Sequence, residues 1–323
     1  MCTRVLWNTN KLSVLAGRTM DWPESTEPLL TVFPRGYGRH GGRIGAESVV
    51  ADNPLEWSSI YGSLATSIYG IGTVDGINER GFAAHALYLA ATQLAGRDSG
   101  KRGLQPALWV QYLLDNAATV TEAIGLMDDV QLVMAEAHGY KATVHLAIED
   151  PGGDSAIFEH IDGKLVIHHG PQYRLMTNDP PYDEQLRMLA QQDYSKPGID
   201  LPVPGNVSAR DRFQRAAYFS ALLPEPKNGR EAAASVLSVI RNSSVPFGAP
   251  YGEFGIYNTE YRTVCDLTAK RYFFELTTSP NVIWTDLDQL DFSQGTPAMT
   301  LDPDDIALAG DVSNRYQPNK VGF

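Results

Sequence analysis

A chain of 323 residues with 43% hydrophobic residues has ample material for a core, and its length suits one large domain or two small ones. The formal charge of −12, with no basic run longer than two residues, argues against nucleic acid and anionic membrane surfaces as partners. Two cysteines, Cys2 and Cys265, make neither a disulfide framework nor a thiolate-rich metal centre. The seven histidines (His40, His85, His138, His145, His160, His168, His169) show no HExxH pattern and no Cys/His cluster. His168 and His169 are adjacent and point to opposite faces of a strand, so no metal or other cofactor is expected.

The first 90 residues read as strands. "CTRVLWNT" and "LSVLAGRTM" flank Asn8-Thr9-Asn10-Lys11, which reads as a tight hairpin turn. With Thr9-Asn10 as a two-residue loop, Cys2 faces Gly17 with Arg18 beside it; a shift of one residue puts Arg18 directly opposite. Asp21 reaches Cys2 only if the strand bends after Thr19. "SIYGSLATSIYG" follows, and "VDGINERGFAAHALYL" carries one turn at Asp75-Gly76 and a second near Asn78-Glu79-Arg80-Gly81.

"LQPALWVQYLLDNA" reads as a helix, with Leu104, Leu108 and Tyr112 on its apolar side and Pro106 in its first turn. Thr119-x-x-Glu122 is a capping box opening a second helix toward Met127. Strands return in "KATVHLAIED", "DSAIFEHI", a turn at Asp162-Gly163, "KLVIHH" and "YRLMTND". Two helices, "ARDRFQRAAYFSALL" and "REAAASVLSVIRN", precede the strands "YRTVCDLTAKRYFFELTTS" and "NVIWTDLDQLDF". From Ser293 the proline- and aspartate-rich text reads as a tail, 293–323, wrapping the surface of one catalytic domain, 2–292. Hairpins with helices in pairs indicate an α+β protein of two antiparallel sheets stacked between helical layers. GxGxxG, GxxxxGK[ST] and GxSxG are all absent.

No run of about 18 apolar residues could span a bilayer. Arg4 arrives at once and no apolar h-region follows, so no signal peptide is visible and the sequence reads as cytoplasmic. A leader removed beforehand would leave the same text, and the protein would then be periplasmic or secreted.

Position 2 is ordinarily frayed and solvated. A cysteine there is either incidental or a nucleophile completed by loss of Met1, which small second residues permit. An α-amine, with an ordinary pKa of about 7.7–8.0, is partly neutral near physiological pH and can take the thiol proton. One residue then supplies nucleophile and base, and a nearby cation such as Arg18 favours the thiolate.

"MCTR" and "GRTMDW", continued through "DGINERGFAAHALYL", "LMTNDPPYDEQL", "DRFQRAAYF" and "IRNSSVPFG", resemble the cysteine N-terminal-nucleophile (Ntn) hydrolases that comprise penicillin V acylases and choloylglycine (bile salt) hydrolases. The resemblance runs from Cys2 to about Phe292 and implies a four-layer αββα sandwich, a bacterial origin and a homotetramer. It also implies roles. Cys2 is nucleophile and its amine the base, flanked by Arg18 and Asp21. The Asn178 side-chain amide and the Tyr88 backbone N–H form the oxyanion hole, and Arg212 completes the polar cluster. Read alone, Asn178 is a turn residue and Arg212 a helix-face cation. Asn78 reads as a turn residue, His85 as a satisfied core histidine and Cys265 as a small buried hydrophobe.

Bile salt hydrolases carry asparagine where Tyr88 stands, and penicillin V acylases an aromatic. Trp22 also resembles the Gram-negative branch, whose members resemble acylases for penicillin V and N-acyl homoserine lactones. Trp22 and Tyr88 would form an aromatic wall for the acyl group. "SARDRF" departs from the usual small-residue lead-in to Arg212. The expected substrate is a small-molecule N-acyl amide. The alternatives are a conjugated bile salt hydrolase and an inactive relative that binds acyl compounds.

Overall fold

The computed structural model describes residues 1–137, 139–251 and 255–323, so His138 lies outside the described residues. Two large sheets and their helical cover are built in this order. Cys2–Trp7 (β1) and Leu15–Trp22 (β2) form a hairpin, followed by Leu29–Phe33 (β3), Ser63–Ile68 (β4), Gly72–Asn78 (β5) and Ala83–Tyr88 (β6). The helices Trp109–Asn116 (α1) and Val120–Leu126 (α2) lead to Val144–Glu149 (β7), Ser155–Ile161 (β8), Lys164–His169 (β9) and Leu175–Met176 (β10). Tyr182–Leu189 (α3), Ala209–Ala221 (α4) and Gly229–Asn242 (α5) precede Ile256–Asp266 (β11), Arg271–Leu276 (β12) and Ile283–Asp286 (β13). Met299–Leu301 (β14), Gly310–Asp311 (β15) and Gln317–Pro318 (β16) come last.

One sheet has the order β10-β1-β2-β11-β12-β13-β15, the other β9-β8-β7-β6-β5-β4-β3-β14-β16. Alternation along β1 shows how they stack. Leu6 packs into the core between the sheets, and Cys2 joins it there. Val5 and Trp7 face the other way, onto Ala216 of α4 and Val236 and Ile240 of α5. The outer face of the second sheet is covered by α1 and α2, whose Trp109, Leu113 and Ala123 pack on Ala84, Leu146 and Phe158. The result is the expected four-layer αββα sandwich. Each fully buried Leu, Ile or Val in these layers contributes about 1.5–3 kcal/mol.

Helix starts follow local chemistry. The side chains of Thr119, Ser208 and Asn228 accept from the N–H groups of Glu122, Asp211 and Glu231, three residues on, at 3.2, 3.1 and 2.9 Å. Glu122 accepts in return from Ala118 N–H at 2.7 Å, so the anticipated capping box closes one residue earlier than its standard form.

Four readings need correction. The first hairpin is not closed at Thr9-Asn10: the Asn10 side chain accepts from the N–H groups of Leu12 and Ser13, and pairing resumes only at Leu15. Cys2 therefore pairs with Met20 and not with Gly17 or Arg18. Asp75-Gly76 is no turn but the middle of β5; a Cβ on Gly76 would stand 2.7 Å from Leu64 O and 2.8 Å from Leu114 Cδ1, so the glycine admits α1 close to the sheet. The helix α3, short and entered through Pro180-Pro181, was not anticipated. Finally, residues 293–323 do not merely wrap the surface. β14 and β16 extend the second sheet beyond β3, and β15 pairs with β13 of the first. The aspartates mark turns between these strands: Asp302, Asp305 and Asp311 each accept from the N–H two residues on.

No helix among the described residues is long and apolar enough to cross a membrane.

Candidate active site

Cys2 sits on the face of β1 turned toward the second sheet, 2% exposed. Its cross-strand partner is Met20, whose Sδ lies 3.8 Å from Sγ. Arg18 is two residues from Met20 on β2, hence on the same face and diagonal to Cys2. Its Nη2 donates to Cys2 Sγ at 3.1 Å, while Nη1 donates across the sandwich to Val74 O at 3.0 Å. The sequence reading placed Arg18 within reach of the thiol on the wrong register; the longer loop moves the pairing but the diagonal restores the contact. Burial works against the Arg18 charge, yet the negative groups around it, Cys2 foremost, hold its pKa above the ordinary arginine value.

The backbone of Cys2 is gripped from the other side. Its N–H donates to Asn178 Oδ1 at 2.7 Å, and its carbonyl accepts from Arg212 Nη1 at 2.6 Å. Arg212 is fully buried on α4, and its Nη2 donates to Asn178 Oδ1 at 2.9 Å. The guanidinium also lies 3.4 Å from Asp21 Oδ2. Asp21 is set by a register shift between Met20 and Asp21, where β11 carries Glu260 as an extra residue. This brings Thr259 opposite Asp21, and its hydroxyl donates to Asp21 Oδ1 at 2.6 Å. Asp21 touches Cys2 through Arg212, not directly. Met1 continues the strand: its carbonyl accepts from Asp21 N–H at 2.7 Å and its amine donates to Asp21 O. Burial pulls that amine below its ordinary pKa.

Asn178 follows β10 and donates from Nδ2 to Tyr88 O at 2.6 Å. An amide NH₂ has two donors, so one is left over. Leu89 N–H donates to Thr143 O at 3.0 Å, so Tyr88, opposite Val144, falls at a non-hydrogen-bonded position of that ladder. Its N–H and C=O both point to the side where pairing with β5 has ended at His85, and Asn178 approaches from that side. Asn178 thus bridges the Cys2 nitrogen and the Tyr88 carbonyl, on the strand edge that also carries the Tyr88 N–H.

A cavity of about 130 Å³ opens on Cys2. Ile68, Val74 and Leu87 line it with the aromatic rings of Trp22, Tyr88 and Tyr140. Trp22 meets Tyr88 and Tyr140 edge-on, with ring centroids 5.8 and 5.1 Å apart. Every residue singled out from the sequence therefore falls at this place: Cys2, Arg18, Asp21, Trp22, Tyr88, Asn178 and Arg212. Three contributors were missed. Met20 could have been found from its two-residue spacing to Arg18. Thr259 and Tyr140 carried no local signal, since a bulge and a two-residue strand deliver them.

A family of linear amide C–N hydrolases, the choloylglycine hydrolase family, matches residues 2–305. The chain belongs to that family. A penicillin V acylase from Pectobacterium atrosepticum is 37% identical, over 98% of this chain and 90% of its own. The solved structure of a penicillin V acylase from Agrobacterium tumefaciens superposes with a TM-score of 0.87 at 40% identity, covering 99% of this chain and 98% of that one. A bile salt hydrolase/transferase of Bifidobacterium longum is 27% identical over 70% of this chain and 75% of its own. This choloylglycine-family hydrolase has the Ntn hydrolase fold and cleaves a linear amide C–N bond in a small-molecule substrate.

Proposed function

We propose that the chain, once freed of Met1, is an acylase for N-acyl amides with apolar or aromatic acyl groups, penicillin V among them, acting through an S-acyl Cys2 intermediate. The observation that carries this reading is Cys2 Sγ at the mouth of an apolar, aromatic-walled cavity with Arg18 Nη2 3.1 Å away. Loss of Met1 makes the Cys2 nitrogen, now 2.7 Å from Asn178 Oδ1, a free amine beside its own thiol. That amine takes the thiol proton as sulfur attacks the acyl carbon. The oxyanion accepts from the Tyr88 N–H and the second Nδ2 hydrogen of Asn178. The C–N bond breaks, the amine product leaves with the proton held on the Cys2 nitrogen, and water hydrolyses the thioester. Arg212 holds the Cys2 carbonyl and Asn178 Oδ1, and Asp21 holds Arg212. Trp22 and Tyr88 receive the acyl group.

The penicillin V acylase relatives, at 37 and 40% identity against 27% for the bile salt hydrolase/transferase, favour phenoxyacetyl amides over bile salts. The test is release of primary amine from penicillin V, a long-chain N-acyl homoserine lactone and a glycine-conjugated bile salt, with Cys2→Ala beside the wild type. Mass spectrometry first establishes that Met1 is gone. Turnover that needs Cys2 and favours penicillin V or the lactone is expected; no turnover of any substrate by the processed chain would overturn the reading. The tetramer is part of the same proposal and is read by light scattering on a sizing column.

A further inference from the structure

The space between the sheets holds a set of ions of which the chemistry above uses only Arg18. Arg4 and Arg18 are direct cross-strand partners in β1 and β2, both fully buried and both facing the second sheet. Like charges so placed repel. Two buried carboxylates answer them from the second sheet: Glu149, which takes Arg4 Nη2, and Asp75, whose charge supports Arg18. Between these carboxylates lies His85, itself fully buried, with Nδ1 on Asp75 Oδ1 and Nε2 on Glu149 Oε1. A carboxylate can only accept, so both ring nitrogens donate and the ring is an imidazolium with no lone pair for a metal. Thr263 and Tyr272 donate to Asp75 Oδ2 at 2.5 and 2.6 Å.

Three cations (Arg4, Arg18, His85) thus face two anions (Asp75, Glu149) in one water-poor layer. The other titratable groups packed on this layer are neutral, since burial pushes Tyr261, Tyr272 and Cys265 well above their ordinary values. Asp21 and Arg212 pair with each other on the far side of Cys2, beside the terminal amine. Among the described titratable groups, the one hydrogen-bonded to Arg18 is Cys2 Sγ.

We propose that His85 is a positioning residue for the nucleophile: by spending one carboxylate charge on itself it leaves Arg18 short of a counter-ion, and the Cys2 sulfur, in its anionic form, supplies it. This rests on Cys2 being the nucleophile. The thiol proton goes to the Cys2 amine, so the net charge is unchanged: the negative sulfur faces Arg18 while the ammonium faces Asn178 Oδ1. The raised pKa of His85 to about 9 is the other side of the same balance: burial opposes its charge, and Glu149 and then Asp75 overcome it.

Linkage makes the test reciprocal. In wild-type protein with labelled histidine, nuclear magnetic resonance follows His85 before and after Cys2 is capped by iodoacetamide. The capped sulfur is neutral, so His85 should give up its proton at a pH lower by one unit or more. The variant His85→Gln, which keeps two polar ends without charge, should move the acid limb of kcat/KM upward by about one pH unit and leave the plateau rate within a few-fold. A purely structural role would lower activity alike at every pH. A His85 titration untouched by capping Cys2 overturns the proposal, whether or not His85→Gln folds. If penicillin V is not turned over yet capping shifts His85, the network stands and only the substrate reading falls.

Discussion

Replacing Asn178 by aspartate separates the two edges of one side chain. The Oδ1 edge accepts from Cys2 N–H at 2.7 Å and Arg212 Nη2 at 2.9 Å, and an aspartate keeps both bonds. The Nδ2 edge donates to Tyr88 O at 2.6 Å, and an oxygen there sets acceptor against acceptor. The leftover N–H that would meet the oxyanion disappears as well. Loss of one such donor costs about 10²–10³ in kcat, or about 2.7–4 kcal/mol. Tyr88 O left unpaired adds about 1–3 kcal/mol against the folded loop. Because the donor acts on charge that develops only in the transition state, KM should change little. The assay is amine release from penicillin V at saturating and limiting concentrations, with a thermal melt to confirm folding. An Asn178→Asp enzyme that melts near the wild type and keeps kcat within about five-fold would refute this oxyanion assignment.

Trp22→Ala removes the edge contacts to Tyr88 and Tyr140, each worth about 0.5–1.5 kcal/mol, and should raise KM for penicillin V about ten-fold with a smaller change in kcat. Gly76→Ala drives a Cβ to 2.7 Å from Leu64 O, a backbone atom that cannot turn aside. It should cost about 1–3 kcal/mol in urea unfolding, and an unchanged midpoint would count against the packing described for α1. His160 is buried with Nδ1 unpartnered, and burial pushes it from 6.5 down to about 4. The unfolded chain then takes up this proton first, so stability falls as pH drops from 6.5 toward about 4. His160→Leu should flatten that window by about 2–3 kcal/mol, read as the difference between the two proteins' urea midpoints at pH 7 and pH 4.5.

What could be read in advance was local chemistry and period. The cap at Thr119 and the succession of hairpins and paired helices are near-neighbour patterns, and that succession sufficed for the layer order. The resemblance then supplied Asn178, Tyr88 and Arg212, far apart in the chain and ordinary taken singly. Register was less legible. The seven residues between Trp7 and Leu15 contain a side-chain-built turn at Asn10, which looks like a tight turn in the text. Gly76 misled because glycine marks both turns and close approach of a helix. His85 was read as a satisfied core histidine; it is buried and satisfied, but by two carboxylates that come from β5 and β7, a pairing only the sheet reveals.

The first hairpin lies in the middle of its sheet, with β10 on one side and β11 on the other. Both neighbours come much later in the chain, β10 at Leu175–Met176 and β11 at Ile256–Asp266. Without them the hairpin would be a two-stranded ribbon, which is marginally stable alone. With them Met1 is 7% exposed and bonded at both ends of its backbone to Asp21. On the proposal that Met1 is lost, an aminopeptidase meets an accessible amine only before β11 has closed the sheet over it. Chains that fold faster than they are trimmed would be trapped with a blocked nitrogen. The proportion of chains lacking Met1 would then record a race between trimming and the arrival of β11.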